Sequence, residues 1–333
     1  MAYNASDISV VIPAGNGSPL VGAVARAALA AEPPPGEVVV VDDRVSDGSL
    51  ANLPDNARLR VVANDRGPGP AGARNAGARA ANNTIIFFMD ADVFVPADVF
   101  GKLAAAYGDG VEAVLGVEAE LPTLPNFASK YKNLWMRFTY LTLPPRVDLF
   151  YTSCASIKKA VFSAAGGFDE GYTRPSVEDT AFGRTLAGRG VEVVLDKDIE
   201  VEHRKVYGTV GALATAFRRG AALARCILRM GRRRGARGNR TSVPTLFIAS
   251  LPAPALFLLW AALAPLAWQW AALGAGGTLA AVYALNFSWL RFLGRRGAVM
   301  ALGALAFLPF ELAFSLAGGG WGTATYFLLG RRY

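Results

Sequence analysis

The chain has 333 residues, 53% of them hydrophobic and 18% charged, with a formal net charge of +8 and two cysteines. Cys154 and Cys226 are too few and too far apart for a disulfide framework or a zinc site. The hydrophobicity is too uneven for one soluble domain: residues 1–205 have the mixed pattern of an α/β domain, whereas 243–329 are overwhelmingly Ala, Leu, Phe, Trp and Gly.

At the amino terminus, residues 1–7 carry no basic and apolar leader, so the expectation is a soluble domain that is not exported. Ile8 to Ile12 reads as a first strand ended by Pro13, followed by a turn at 14–18 and an Ala-rich helix over 19–31. Pro33-Pro34-Pro35-Gly36 breaks that helix, and Glu37 to Val41 forms a second strand, which completes a right-handed crossover. Leu59 to Ala63 is a third strand, 67–72 a Gly- and Pro-rich loop, and 71–82 a helix that leads into a strand at 85–89.

Two of these strands end abruptly in acid: Val38-Val39-Val40-Val41-Asp42-Asp43 and Ile85-Ile86-Phe87-Phe88-Met89-Asp90-Ala91-Asp92. Apolar runs of this kind read as strands buried on both faces, so their carboxylates emerge at the carboxyl edge of a parallel sheet. Open α/β sheets bind ligands at that edge. Two carboxylates flanking one small residue can hold Mg²⁺ or Mn²⁺ against a phosphate, because hard oxygen ligands suit these ions. The implied substrate is a nucleoside diphosphate derivative.

Further along, 113–117 is a strand, 126–142 an aromatic amphipathic helix, 153–157 a strand and 158–165 a helix ended by the Gly166-Gly167-Phe168-Asp169 turn. A helix over 177–189, a strand at 192–195 and a strand-like stretch at 199–203 follow, the last ending in His203, the chain's single histidine. Residues 207–230 place Val210, Leu213, Phe217, Leu223, Ile227 and Leu228 at helical spacing, with arginines on the other face. That is the pattern of a helix on a membrane surface, with an ordinary core helix as the alternative.

Arg218, Arg219, Arg225, Arg229, Arg232, Arg233, Arg234, Arg237 and Arg240 form an acid-free run before the apolar region. Apolar sequence follows at about 244–264, 266–288 and 298–317, each near the ~20 residues that span a bilayer. The expectation is about three crossings, with Pro252, Pro254 and Pro265 able to kink or divide the first. A basic run directly before a span is a positive-inside signal and not a nucleic-acid surface, and Arg291, Arg295 and Arg296 are expected on the same, cytoplasmic, side.

The quoted pieces, with Val11-Ile12-Pro13-Ala14, Ser46-Asp47-Gly48-Ser49, Ala73-Arg74-Asn75, Gly166-Gly167-Phe168-Asp169-Glu170 and Glu178-Asp179, resemble family 2 glycosyltransferases over about residues 7–205. The resemblance implies a Rossmann-like α/β catalytic domain of the GT-A fold, with a mostly parallel sheet, at 1–206. A basic interfacial helix and linker would follow at 207–242, and a helical transmembrane region at 243–333. It also implies an inverting, Mn²⁺- or Mg²⁺-dependent transfer of one sugar from a UDP- or GDP-sugar to a membrane lipid: a glycolipid or lipid hydroxyl, or a polyprenyl phosphate. The enzyme would sit in the inner (plasma) membrane with its catalytic domain in the cytoplasm.

By the same resemblance Pro13 and Ala14 present backbone to the nucleoside, Asp43 accepts a hydrogen bond from the base, Asp42 supports the turn, and Arg74 and Asn75 sit near the nucleotide. Asp92 is the direct metal ligand, with Asp90 on the ribose or a metal-bound water, and Asp179 is the base beside Glu178. Gly166 and Gly167 let the backbone approach the sugar, and Arg218 or Arg219 reaches the diphosphate. His203 is open between a structural role and metal ligation. Arg44-Val45 stands where the family has Gly-Ser, Gly15 where it often has an aromatic residue, and the Gln-x-x-Arg-Trp motif of processive polysaccharide synthases is missing. A processive synthase and a non-catalytic sugar-nucleotide-binding membrane protein are the alternative readings.

Overall fold

The computed structural model describes residues 2–121, 123–231 and 243–333; Arg232, Arg233, Arg234, Arg237 and Arg240 of the basic run lie outside the described residues. The described chain divides into two compact units, one of residues 2–121 and 140–205, the other of 123–139, 206–231 and 243–333. The second unit therefore takes in residues 123–139, which an expected domain boundary at 206 had left with the sheet.

The elements run β1 (Ile8–Ala14), α1 (Val21–Leu29), β2 (Glu37–Asp42), β3 (Leu59–Ala63), α2 (Pro70–Ala80), β4 (Ile85–Phe88), β5 (Val93–Phe94), α3 (Val99–Ala106) and β6 (Ala113–Glu118). After α4 (Phe127–Leu141) come β7 (Arg146–Val147), β8 (Ala155–Lys158), α5 (Lys159–Ala165), α6 (Glu178–Gly188) and β9 (Val193–His203). The last helices are α7 (Thr209–Met230), α8 (Thr245–Ser250), α9 (Ala253–Leu285), α10 (Phe287–Gly294) and α11 (Ala298–Leu329). Helix α3 and the two-residue strands β5 and β7 were not expected; two residues are too few to set up a hydrophobic period.

In the first unit the strands form one sheet in the order β3-β2-β1-β4-β8-β6-β9-β5, with β7 also on β9. The four strands from β3 to β4 are parallel, β8 runs antiparallel to β4 and β6, and β6 is parallel to β9. As the apolar runs require, β2 and β4 are buried along their lengths, apart from Asp42 at the end of β2. Each such Val, Ile or Phe contributes roughly 1.5–3 kcal/mol by leaving water. Asp42 is aligned with Ala14 and Ala63, and Asp90 follows directly beyond β4, so both acids stand at the carboxyl edge.

An aromatic cluster fixes the helices below that edge. Phe88 at the end of β4 packs on Phe162 of α5 and on Phe168, with ring centroids 5.4 and 5.3 Å apart. Phe168 in turn meets Phe182 of α6 at 4.7 Å. Such pairs are each worth about 0.5–1.5 kcal/mol beyond the area they bury, and here they tie the helix bearing Asp179 to the strand that leads to Asp90.

In the second unit α7 lies along α11 through small residues. Its buried face is Ala212, Ala216, Ala221, Ala222 and Cys226, whereas Val210 and Ile227 of the expected apolar stripe are exposed. A Cβ on Gly318 would fall 2.1 Å from the Phe217 carbonyl oxygen, and one on Gly322 would fall 2.3 Å from that of Ala221. Two helical stretches, 245–285 and Ala298–Leu329, are long and apolar enough to cross a membrane, by length and composition. The first joins the expected 244–264 and 266–288 segments, but it is not a rod. Ala267 is non-helical (φ −152°, ψ 64°) just after Pro265, which supplies no amide donor. The Trp260 indole N–H donates to Thr278 Oγ1 at 3.1 Å. In an unbroken helix those residues would stand about 27 Å apart, so the two halves fold back on one another.

Residues of α4 settle as core. Tyr131, Trp135 and Phe138 are buried against Trp289, Phe247, Phe292 and Phe307. Glu311 of α11, itself buried, accepts from the Tyr131 hydroxyl at 2.7 Å and pairs with Lys132.

Candidate active site

Asp90, Asp92 and His203 each offer a ligand atom, and these atoms lie within 4.8 Å of one another. Strand pairing creates the group: β5 runs antiparallel to the end of β9, which sets His203 opposite Val93, the neighbour of Asp92. His203 Nδ1 is 2.8 Å from Glu118 Oε1, while Nε2 lies 3.2 Å from Asp92 Oδ1 and makes no well-directed hydrogen bond. A buried imidazole nitrogen with its lone pair unclaimed, its partner nitrogen held by a carboxylate, is the arrangement of a metal-ligating histidine. Two carboxylates and one imidazole suit a divalent cation such as Mn²⁺. The residues fit such an ion.

Without an ion, burial works against charge on His203, but Glu118 and Asp92 override it and raise its proton affinity well above the ordinary value. Burial tends to raise Asp92; contact with His203 and the charges of His203 and Lys205 hold it below the ordinary carboxylate value.

Glu118 was missed in the sequence although the signal was there. Ala113 to Val117 is an apolar run ending in acid, the same pattern that singled out Asp42 and Asp90. Glu118 is buried and also accepts from the Tyr151 hydroxyl at 3.2 Å.

Arg74, Asn75 and Glu178, expected beside the nucleotide or sugar, belong to side-chain networks around Asp90 and the 166–170 turn. All are nine-tenths or more buried. The Arg74 guanidinium donates to Asp90 Oδ1 at 2.6 Å and to Glu178 Oε1 at 2.9 Å, and Glu178 Oε2 accepts from the Ser176 amide at 2.9 Å. Burial disfavours charge on Arg74, but the two carboxylates outweigh it and keep the guanidinium charged. Asn75 clamps the 166–170 turn: its amide donates to the Phe168 carbonyl and to Glu170, and its oxygen accepts from the Phe168 amide at 2.9 Å. Gly167 has φ +71°, and a Cβ there would fall 2.6 Å from Asn75 Oδ1; Gly166, at φ +90°, ends α5 in the left-handed conformation. Gly167 thus leaves room for the clamp.

Asp42 accepts from the Val45 amide at 2.7 Å, across the turn that follows β2. Asp43 accepts from Asn64 at 2.7 Å and from the Gly69 amide at 2.8 Å, and its own amide donates to the Ala14 carbonyl, beside Pro13 at the end of β1. Arg44 has φ +61°, the left-handed conformation that the family's glycine would adopt without strain. Asp179 is buried in the first turn of α6, where its Oδ1 accepts from the Thr180 amide and hydroxyl. One guanidinium thus links Asp90 to the residue next to Asp179. Arg218 and Arg219 lie in α7, within the second unit, Arg218 donating to Thr215 at 3.2 Å.

Residues 9–165 match the sequence profile described as glycosyl transferase family 2. Succinoglycan biosynthesis protein ExoO of Rhizobium meliloti (strain 1021) is 41% identical over 138 residues, covering 36% of this chain and 39% of that protein. The validoxylamine A glucosyltransferase of Streptomyces hygroscopicus subsp. jinggangensis (strain 5008) is 30% identical over 240 residues, covering 60% of this chain and 56% of that one. The chain therefore spans less than two thirds of the length of either relative. Among solved structures, mannosyltransferase PcManGT from Pyrobaculum calidifontis, in complex with GDP-Man and Mn²⁺, superposes with a TM-score of 0.55 at 20% identity, covering 99% of this chain and 90% of that one. That likeness is one of fold.

Proposed function

From a glycosyl transferase family 2 domain over residues 9–165, we propose that this protein is a metal-dependent, inverting glycosyltransferase that moves one sugar from a nucleotide-sugar donor to a membrane lipid. The observation that carries the reading is the Asp90, Asp92 and His203 group, joined through Arg74 to the helix turn that holds Asp179. Asp92 and His203 ligate the cation, with Asp90 beside them. A divalent cation there supplies positive charge to the departing nucleoside diphosphate. The donor is a UDP- or GDP-sugar, and Pro13, Ala14 and the Asp42-Asp43 turn line the nucleoside end of the sheet edge.

Asp179 takes the proton from the acceptor hydroxyl as the oxygen attacks the anomeric carbon. One base on the face of the sugar opposite the leaving group implies a single in-line displacement, hence inversion, and needs no carboxylate as a covalent nucleophile. Arg74 and Asn75 act as positioning residues, the first between Asp90 and Glu178, the second on the 166–170 turn. A hydroxyl acceptor needs such a base, whereas a lipid phosphate does not, so a glycolipid or lipid hydroxyl is favoured over a polyprenyl phosphate. The apolar helices α8, α9 and α11 support a multi-pass inner-membrane protein with its basic flank and catalytic domain in the cytoplasm.

The test is nucleoside diphosphate release from a panel of nucleotide sugars with Mn²⁺ or Mg²⁺, with and without membrane lipid extract, alongside Asp92→Ala and Asp179→Asn. One donor turning over, acceleration by lipid and loss of transfer in both variants are expected. Binding of donors without turnover under any lipid condition would overturn the enzyme reading.

A further inference from the structure

The second unit is unusually short of acid. Residues 123–139, 206–231 and 243–333 contain many lysines and arginines but one acidic side chain, Glu311, and that carboxylate is already held by Tyr131 and Lys132. No carboxylate within this unit is left to balance its other cations.

Three of those cations lie at the end of α10. Arg296 is engaged: its guanidinium donates to the Phe292 carbonyl at 2.6 Å and stacks over the Phe292 ring, 3.7 Å from its centroid. Arg291 and Arg295 are different. They are exposed, four residues apart and so on one face of the helix, and neither side chain has a hydrogen bond or ion pair among the described residues. Both line a groove of about 570 Å³ formed by the end of α9, α10 and the start of α11, whose other walls include Tyr283, Phe287, Leu290 and Leu305. Phe287 is exposed, although nothing in the soluble chemistry of the chain calls for a bare phenylalanine there.

An apolar trough with two unpaired guanidinium groups at its rim matches a molecule with a phosphate at one end and hydrocarbon at the other. We propose that this groove binds an anionic phospholipid of the surrounding membrane, its phosphate between Arg291 and Arg295 and its chains along Tyr283, Phe287, Leu290 and Leu305. Arginine suits the role because its planar fork can donate two bonds to one phosphate. The lipid supplies the negative charge that the unit lacks and covers its exposed aromatic face. The proposal rests on reading the C-terminal helices as membrane-embedded, not on the identity of the sugar acceptor.

The experiment is native mass spectrometry of the full chain in detergent, titrated with phosphatidylglycerol or phosphatidylcholine, for wild type, the double variant Arg291→Gln/Arg295→Gln and the control Arg331→Gln/Arg332→Gln. Wild type and control are expected to retain phosphatidylglycerol in preference to phosphatidylcholine. The double variant should lose about thirtyfold in apparent affinity, from two guanidinium contacts. Equal retention by the double variant, or equal binding of the two lipids, overturns the proposal. Alkaline carbonate extraction of the membranes separates the premise: release of the wild-type chain into the soluble fraction would remove the membrane reading, whereas retention with unchanged lipid adducts would remove only the groove. Thermal unfolding of the double variant shows that it is folded, so that loss of adduct reports the groove.

Discussion

Glu118 Oε1 lies 2.8 Å from His203 Nδ1, on two parallel strands where Glu118 is in register with Val201. The carboxylate fixes which ring nitrogen carries the proton and leaves Nε2 toward Asp92. Glu118→Gln keeps the shape but removes the charge. We expect Mn²⁺ affinity, measured by titration of the paramagnetic signal in the presence of a nucleoside diphosphate, to fall about 10- to 100-fold. An unchanged affinity would mean that His203 does not ligate.

Arg74 spans two carboxylates with two separate nitrogens, which a lysine's single ammonium cannot do. Arg74→Lys should therefore fold and bind donor, but lose about 10- to 100-fold in kcat because the Asp90 and Glu178 elements are no longer held in register. A rise in KM with kcat unchanged would instead indicate direct contact with the nucleotide.

Arg44 is the one described non-glycine residue at positive φ, and its exposed side chain donates to the Arg66 carbonyl and pairs with Asp43 at 3.7 Å. The left-handed backbone costs a side-chain-bearing residue about 1 kcal/mol. Arg44→Gly should raise stability by about that amount in chemical denaturation. If donor affinity falls at the same time, the strain is retained for nucleotide recognition; a neutral or lower stability would show that the contacts with Arg66 and Asp43 offset the strain.

Glu37 opens β2 and is buried, accepting from Ser9, Arg60 and Asn82. Burial alone would raise its carboxyl, but the Asn82 amide, the Ser9 hydroxyl and Arg60 together hold it below the ordinary value of 4.5. A depressed folded-state value means that its contribution is full above the unfolded-state value near 4.5 and disappears as pH falls through the lower folded value. Glu37→Gln should cost roughly 2 kcal/mol at pH 7, discounted for the partly exposed arginine, with the gap to wild type closing as pH falls below 4.5. Denaturation across pH 3–7 reads it; a gap constant with pH would assign the loss to packing.

Much of the first unit was legible because its strands are extreme. Long apolar runs in β1, β2 and β4 admit few arrangements other than central parallel strands, and acids at their ends mark the functional edge. What stayed hidden depends on contacts far apart in sequence. That Arg74 and Asn75 face inward follows from the turn at 166–170 and from Glu178, roughly a hundred residues away. Local sequence suggests only that both lie on a helix near a loop. The packing face of α7 was not legible for a related reason: the large apolar residues marked a stripe, but close approach to α11 is permitted only where both helices are small, at Ala216, Ala221, Gly318 and Gly322.

The break at Ala267 also governs depth. Arms of 245–266 and 268–285, at 1.5 Å per residue, reach about 33 and 27 Å, close to the ~30 Å of a hydrocarbon core, and Trp268 and Trp270 stand exposed beside the bend. Indole rings favour the boundary between hydrocarbon and headgroups. Set in a bilayer, the hairpin places its tip at the far boundary, with two tryptophans as a stop that keeps it from sliding deeper. Tryptophan fluorescence quenched by brominated lipids would then depend on where along the acyl chain the bromine sits. Quenching would be strongest for labels near the headgroups and would fall when Trp268 and Trp270 are replaced by leucine.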